Sequence, residues 1–126
     1  FCSDSKILAQ MRAVMQPWNV SVIAQAAGEA ALKERTYVEE TLGKIRKERK
    51  FLLRELEKRE FQIYGSEANY IFFQGPEGLR EKCLEKGVSI RDCSNYEGLG
   101  NGYYRIAVRR EEENERLLKV FDEIEI

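Results

Sequence analysis

Ser89-Ile90-Arg91-Asp92-Cys93-Ser94-Asn95-Tyr96-Glu97-Gly98-Leu99-Gly100-Asn101-Gly102-Tyr103-Tyr104-Arg105-Ile106-Ala107-Val108-Arg109 reads as two short β-strands joined by a glycine-rich loop, with arginines Arg91 and Arg105 on the strands. A planar guanidinium suits a carboxylate or a phosphate, and two of them beside one loop can hold a ligand by both ends. The alternation of the second strand supports a plainer reading as well. Tyr104, Ile106 and Val108 form an apolar face, while Arg105 falls on the other face with Tyr103, Ala107 and Arg109, where an arginine can simply meet water. The pattern alone leaves both readings open.

Working outward, Phe61-Gln62-Ile63-Tyr64 and Tyr70-Ile71-Phe72-Phe73 are β-prone runs separated by Gly65-Ser66-Glu67-Ala68-Asn69. Gly75-Pro76-Glu77-Gly78 is a turn leading into a helix over 79–86, closed by Gly87, after which Val88-Ser89-Ile90 opens the next strand. A last helix over 111–124 turns Leu117, Leu118, Phe121 and Ile124 inward. Upstream, Thr36-Tyr37-Val38-Glu39 fits a capping box and opens a long helix to about Glu60. Val38, Leu42, Ile45, Leu52 and Leu56 form its apolar stripe. Before it, Ser3 or Asp4 caps a first helix, proline at 17 breaks it, and Asn19 or Ser21 caps an alanine-rich second helix over about 20–32. The order is three helices, two strands, a helix, two strands and a helix. It predicts an α+β fold: a small, mostly antiparallel sheet covered by helices and preceded by a long helix.

With 126 residues and 43% hydrophobic content, one domain with a modest core is affordable. Charged residues reach 34%, so much of the chain is exposed helix surface. Basic and acidic residues number 21 and 22, a net charge of -1 that gives no overall pull toward nucleic acid or membrane. The long helix is locally basic, and a nucleic-acid or protein-binding module is the alternative function. Glu48, Glu55 and Glu57 cut across that run, which favours a solvated face. Histidine is absent, removing the commonest general base and metal ligand. Cys2, Cys83 and Cys93 are odd in number and widely spaced, as expected of reduced thiols in a cytoplasmic protein. No apolar run reaches bilayer length. The absence of an initial methionine leads us to expect a piece of a longer protein.

Three signals together carry a family resemblance. Pro17-Trp18-Asn19-Val20-Ser21 with the alanine-rich helix resembles the interdomain region of fold-type I pyridoxal-phosphate enzymes. Ser66-Glu67-Ala68-Asn69-Tyr70-Ile71-Phe72 resembles their small-domain strand motif, and Tyr104-Arg105-Ile106-Ala107-Val108 the strand with their carboxylate-binding arginine. Within that superfamily the stretch from Ile90 to Arg105 looks most like the threonine-phosphate decarboxylases of cobalamin biosynthesis, close relatives of the histidinol-phosphate aminotransferases.

The resemblance implies that Arg105 grips a substrate carboxylate and Arg91 its phosphate. Asn95 and Tyr96 would line the pocket, Asn69 would stand beside it, and Trp18 and Asn19 would lie near its entrance. It also implies an interdomain helical segment over 1–35 and a substrate-binding small domain over 36–126. The family's Schiff-base lysine and pyridinium-pairing aspartate sit in motifs that do not occur here. The expectation is therefore a C-terminal small domain with no catalytic, cofactor or metal residues of its own, inactive alone. The full-length enzyme would be a cytoplasmic homodimer, taking pyridoxal phosphate from its large domain and acting on a small anionic amino-acid-like substrate.

Overall fold

The computed structural model describes residues 4–16 and 19–124. Its elements run α1 (Ser5–Val14), α2 (Val22–Ala31), α3 (Arg35–Lys58), β1 (Gln62–Ile63), β2 (Tyr70–Gln74), α4 (Leu79–Glu85), β3 (Arg91–Asp92), β4 (Tyr103–Ala107) and α5 (Glu111–Glu123). Two compact units, Phe1–Val38 and Glu39–Ile126, divide the chain within α3.

In the first unit the caps are settled by short side chains. The Asp4 carboxylate accepts from the backbone N–H of Lys6 at 2.8 Å and of Ile7 at 3.1 Å. The Ser21 hydroxyl accepts from Ala24 N–H at 3.2 Å, so α2 starts at Val22, two residues later than its composition suggests. Neither helix has a buried residue.

The second unit is built on a four-stranded, wholly antiparallel sheet of order β1-β2-β4-β3. Ile71 pairs with Ile106 and Phe73 with Tyr104 across β2 and β4. These four are buried, and Leu52 and Leu56 of α3, Leu79 and Cys83 of α4, and Leu117, Leu118 and Phe121 of α5 complete a single core on that face. Phe61 is its hinge between helix and sheet, with ring centroids 5.1 Å from Phe73 and 5.4 Å from Phe121.

The stripe of α3 reaches the core only in its second half. Leu52 and Leu56 are fully buried and Ile45 packs at the margin, but Val38 and Leu42 remain exposed. Geometry explains this: 24 helical residues extend for about 36 Å at 1.5 Å each, whereas five-residue strands cover about 17 Å. Thr36 is also not a cap. The helix begins at Arg35, with Val38 N–H bonded to Glu34 O at 3.2 Å, which puts Thr36 inside the first turn.

Two strands start later than expected for one shared reason. At the end of α3, Phe61 N–H bonds to Leu56 O at 3.2 Å and Glu60 N–H to Glu57 O at 3.0 Å, with Glu60 at φ 59°. At the end of α4, Val88 N–H bonds to Cys83 O and Gly87 N–H to Leu84 O, both at 2.9 Å, with Gly87 at φ 75°. Both are Schellman closures. They hold Phe61 and Val88 to their helices, so pairing begins only at Gln62 and Arg91.

Candidate functional site

The sheet's second face carries Tyr70, Phe72 and Gln74 from β2 with Tyr103, Arg105 and Ala107 from β4, because strand residues alternate sides. In the same register Arg91 of β3 stands directly opposite Arg105. The two arginines are therefore cross-strand neighbours on one face, with Cβ atoms about 5 Å apart. Neither makes an ion pair with a carboxylate among the described residues. Like charges in such positions oppose sheet formation, so this pair works against the fold that presents it.

The surrounding groups orient the cations without neutralising them. The Arg105 guanidinium lies 3.8 Å from the centre of the Tyr70 ring, a cation–π contact. Arg105 Nη1 donates to the Tyr96 hydroxyl at 3.3 Å, while its buried Nε has no hydrogen-bond partner among the described residues. Arg91 Nη2 donates to Asn95 Oδ1 at 3.0 Å, and its guanidinium stands 5.7 Å from the Tyr96 ring centre. The loop thus reaches both arginines through adjacent residues.

That loop is shaped by local bonds. Asp92 Oδ1 accepts from Ser94 N–H at 2.7 Å, forming an Asx turn. Bonds from Ser94, together with the positive charge of Arg80 and Arg91, hold the Asp92 carboxyl below its usual range. At its far end Gly102 has φ 85°, and a side chain there would meet Gly75 O at 2.8 Å. Only glycine permits the Gly75 N–H to Gly102 O bond of 2.9 Å that seats the loop beside β2.

A cavity of about 320 Å³ opens on the pair, lined by Asn69, Tyr70, Arg91, Arg105, Ile106 and Ala107. A larger one of about 670 Å³ runs on past Asn95 and Arg109 to Asn114. Among the residues singled out from sequence, Arg91, Arg105, Asn95, Tyr96 and Asn69 gather here. Asn69 also fixes β4, its carbonyl accepting from Val108 N–H at 2.8 Å. Trp18 lies outside the described residues. Asn19 belongs to the first unit and is exposed. Tyr70 escaped the sequence reading because its place beneath Arg105 follows from the β2–β4 register, which alternation along one strand does not give.

Arg109, read from sequence as surface, is exposed and paired with Glu113 at 2.6 Å. Cys93 is buried, and burial pushes its thiol above the ordinary value against the opposing pull of Arg105 and Arg91. Burial pushes Cys83 up to about 11. Neither is a poised nucleophile. Along α3, Lys47 pairs with Glu111 at 3.4 Å and Arg59 with Asp122 at 2.7 Å. These carboxylates, with Glu55 beside Lys58, interrupt the positive run that a nucleic-acid surface would use. No helix among the described residues is long and apolar enough to cross a membrane.

Residues 1–121 match the family profile "Aminotransferase class I and II". The chain belongs to that family. Within it, the chain is 39% identical over 119 residues to histidinol-phosphate aminotransferase 1 of Archaeoglobus fulgidus, covering 94% of this chain and 37% of that protein. It is 34% identical over 120 residues to threonine-phosphate decarboxylase of Salmonella typhimurium, covering 92% and 33%. The crystal structure of the histidinol-phosphate aminotransferase from Clostridium acetobutylicum superimposes with a TM-score of 0.85 at 32% identity, over 93% of this chain and 37% of that one. The chain thus spans about a third of the length of these relatives. Class I and II aminotransferases depend on pyridoxal phosphate. Neither cavity at the arginine pair is lined by a lysine, the amine that would condense with the cofactor's aldehyde. Two guanidinium groups on one face suit a carboxylate or a phosphate group.

Proposed function

We propose that this chain is the C-terminal, substrate-orienting part of a pyridoxal-phosphate enzyme acting on a phosphorylated amino acid or amino alcohol, most like threonine-phosphate decarboxylase. The carrying observation is the cross-strand pair Arg91 and Arg105, which has no described carboxylate partner and opens onto a cavity. Arg105 takes the substrate carboxylate and Arg91 its phosphate, with Asn95, Tyr96 and Asn69 around them. Residues 1–35 are the interdomain helical segment, with Trp18 and Asn19 as further substrate-binding candidates, and 36–126 are the small domain. The cofactor supplies the electron sink that stabilises a carbanion, and the amine that anchors it comes from the large domain. The full-length protein is a cytoplasmic homodimer, and this chain alone turns nothing over.

The alternative is a histidinol-phosphate aminotransferase, in which both guanidinium groups converge on one phosphate. Two assays decide. The full-length polypeptide with threonine phosphate releases carbon dioxide and aminopropanol phosphate under the first reading. With histidinol phosphate and a keto-acid acceptor it yields the carbonyl product under the second. Turnover of neither removes both names.

A further inference from the structure

We propose that Asn114, backed by Glu48, is a positioning residue for the anion-binding strand and acts through the backbone of Arg109. This rests on the reading of Arg105 as an anion ligand. The strand that carries Arg105 is supported unequally. On one side β2 accompanies it through Ala107. On the other, β3 pairs only with Tyr104 and Arg105, and beyond that point the edge opens into the larger cavity.

Asn114 stands where a further strand residue would be. Its Nδ2 donates to Arg109 O at 2.9 Å, and its Oδ1 accepts from Arg109 N–H at 3.1 Å. One side-chain amide therefore satisfies both backbone groups of Arg109, as a neighbouring strand would. The second Nδ2 proton goes to Glu48 Oε2 at 3.0 Å. With both donors and the acceptor engaged, the amide has one workable orientation: flipped, it would set N–H against N–H.

Glu48 and Asn114 are also the two buried polar residues among those described, 7% and 1% exposed. An apolar pair of similar volume would leave the Arg109 N–H and C=O without these partners. What the polar pair adds is directional: it ties α3 to α5 and both to the residue four places after Arg105 on the same face. Releasing Arg109 frees the half-supported end of β4 to change its twist. The Arg105 guanidinium then swings relative to the Tyr70 ring and to Arg91.

The test titrates 3-phosphonopropionate, which carries a carboxylate and a phosphonate but no amine to react with the cofactor, against the full-length polypeptide, read by phosphorus NMR, to obtain dissociation constant and stoichiometry separately. Arg105→Ala weakens binding at least about tenfold; unchanged binding there overturns the parent reading, whatever Asn114 does. Asn114→Asp, which loses both amide donors, raises the dissociation constant about tenfold at unchanged stoichiometry, since small misplacements of a binding group are costly. A fall in stoichiometry with the constant within about twofold, while Arg105→Ala still weakens binding, shows a merely structural residue and overturns the proposal alone. If Asn114→Asp does not fold, Glu48→Met keeps the side-chain length and removes the oxygen that accepts from Asn114 Nδ2. It raises the constant about threefold, and no change there overturns the proposal equally.

Discussion

The two faces of one small sheet obey different rules. On the inner face, Ile71, Phe73, Tyr104 and Ile106 are all but sealed by α3, α4 and α5, and each residue is accounted for by burial. On the outer face, strands of the same length carry aromatic rings and two arginines. Tyr64, Phe72 and Tyr103 form a ring cluster with centroids 5.4–5.9 Å apart, and Arg105 and Arg91 continue the row toward β3. Stability would favour a carboxylate at one of the two arginine positions, since opposite charges across strands attract. That choice was not made, and the outer face is the one facing the smaller cavity. The inner face makes the sheet; the outer face has given up some stability to keep two cations available.

The contrast breaks first, and with the largest effect, at Phe73. Phe73→Ala removes a fully buried ring and should cost about 3–5 kcal/mol in urea unfolding, with no gain or loss of anion affinity in the molecules that remain folded. A loss below about 1 kcal/mol would mean the inner face is not the source of the fold. Next, Arg105→Ala should cost about 1.5–3 kcal/mol of substrate affinity, read as KM, with little change in unfolding midpoint.

Arg91→Glu sharpens the comparison by reversing the sign of both effects. It turns a repelling pair into a cross-strand ion pair, so stability should rise by about 0.2–1 kcal/mol while phosphate binding is lost. A destabilised Arg91→Glu would deny that the pair opposes folding. Smaller again, Glu60→Gly relieves an L-residue held at φ 59° and should add about 0.5–1 kcal/mol after glycine's own entropic cost, with binding untouched.

The last test is acid. Asp122 is held below the usual carboxylate range by Arg59, and Glu55 by Lys58 and then Arg59. For a carboxylate lowered in the folded state, the stabilisation is complete above its ordinary value near pH 4 and disappears as pH falls through the lowered one. Urea midpoints followed from pH 5 downward should therefore decline, and Arg59→Met should flatten part of that decline. An unchanged slope would mean that the α3–α5 ion pairs are too exposed to matter.

Most of the fold was legible because it is written in local patterns. Glycines, caps and alternating apolar residues placed every helix and all four strands, and put Arg105 on the face away from Ile106. What escaped depends on partners distant in sequence. The reach of the α3 stripe depends on how short the strands are, so Val38 and Leu42 read as core residues. The late starts at Gln62 and Arg91 depend on the closures at Glu60 and Gly87, where the chain must leave a helix before it can join a sheet. In the site, the two arginines and their loop were legible as types and spacing. The role of Tyr70 required the β2–β4 register, and that of Asn114 required α5 to be folded back beside Glu48. An asparagine near a helix start reads as routine surface until both acceptors of its amide are visible.

The loop seated at Gly102 has a consequence for how such a protein can diverge. Because Arg91 and Arg105 owe their common side to strand parity, a single insertion or deletion within either strand would drive a guanidinium toward the hydrocarbon interior. The segment from Glu97 to Asn101, beyond the two residues that hold the arginines, carries no such constraint. Descendants of this chain can therefore lengthen or shorten that segment to suit new ligands while the two cations stay where they are.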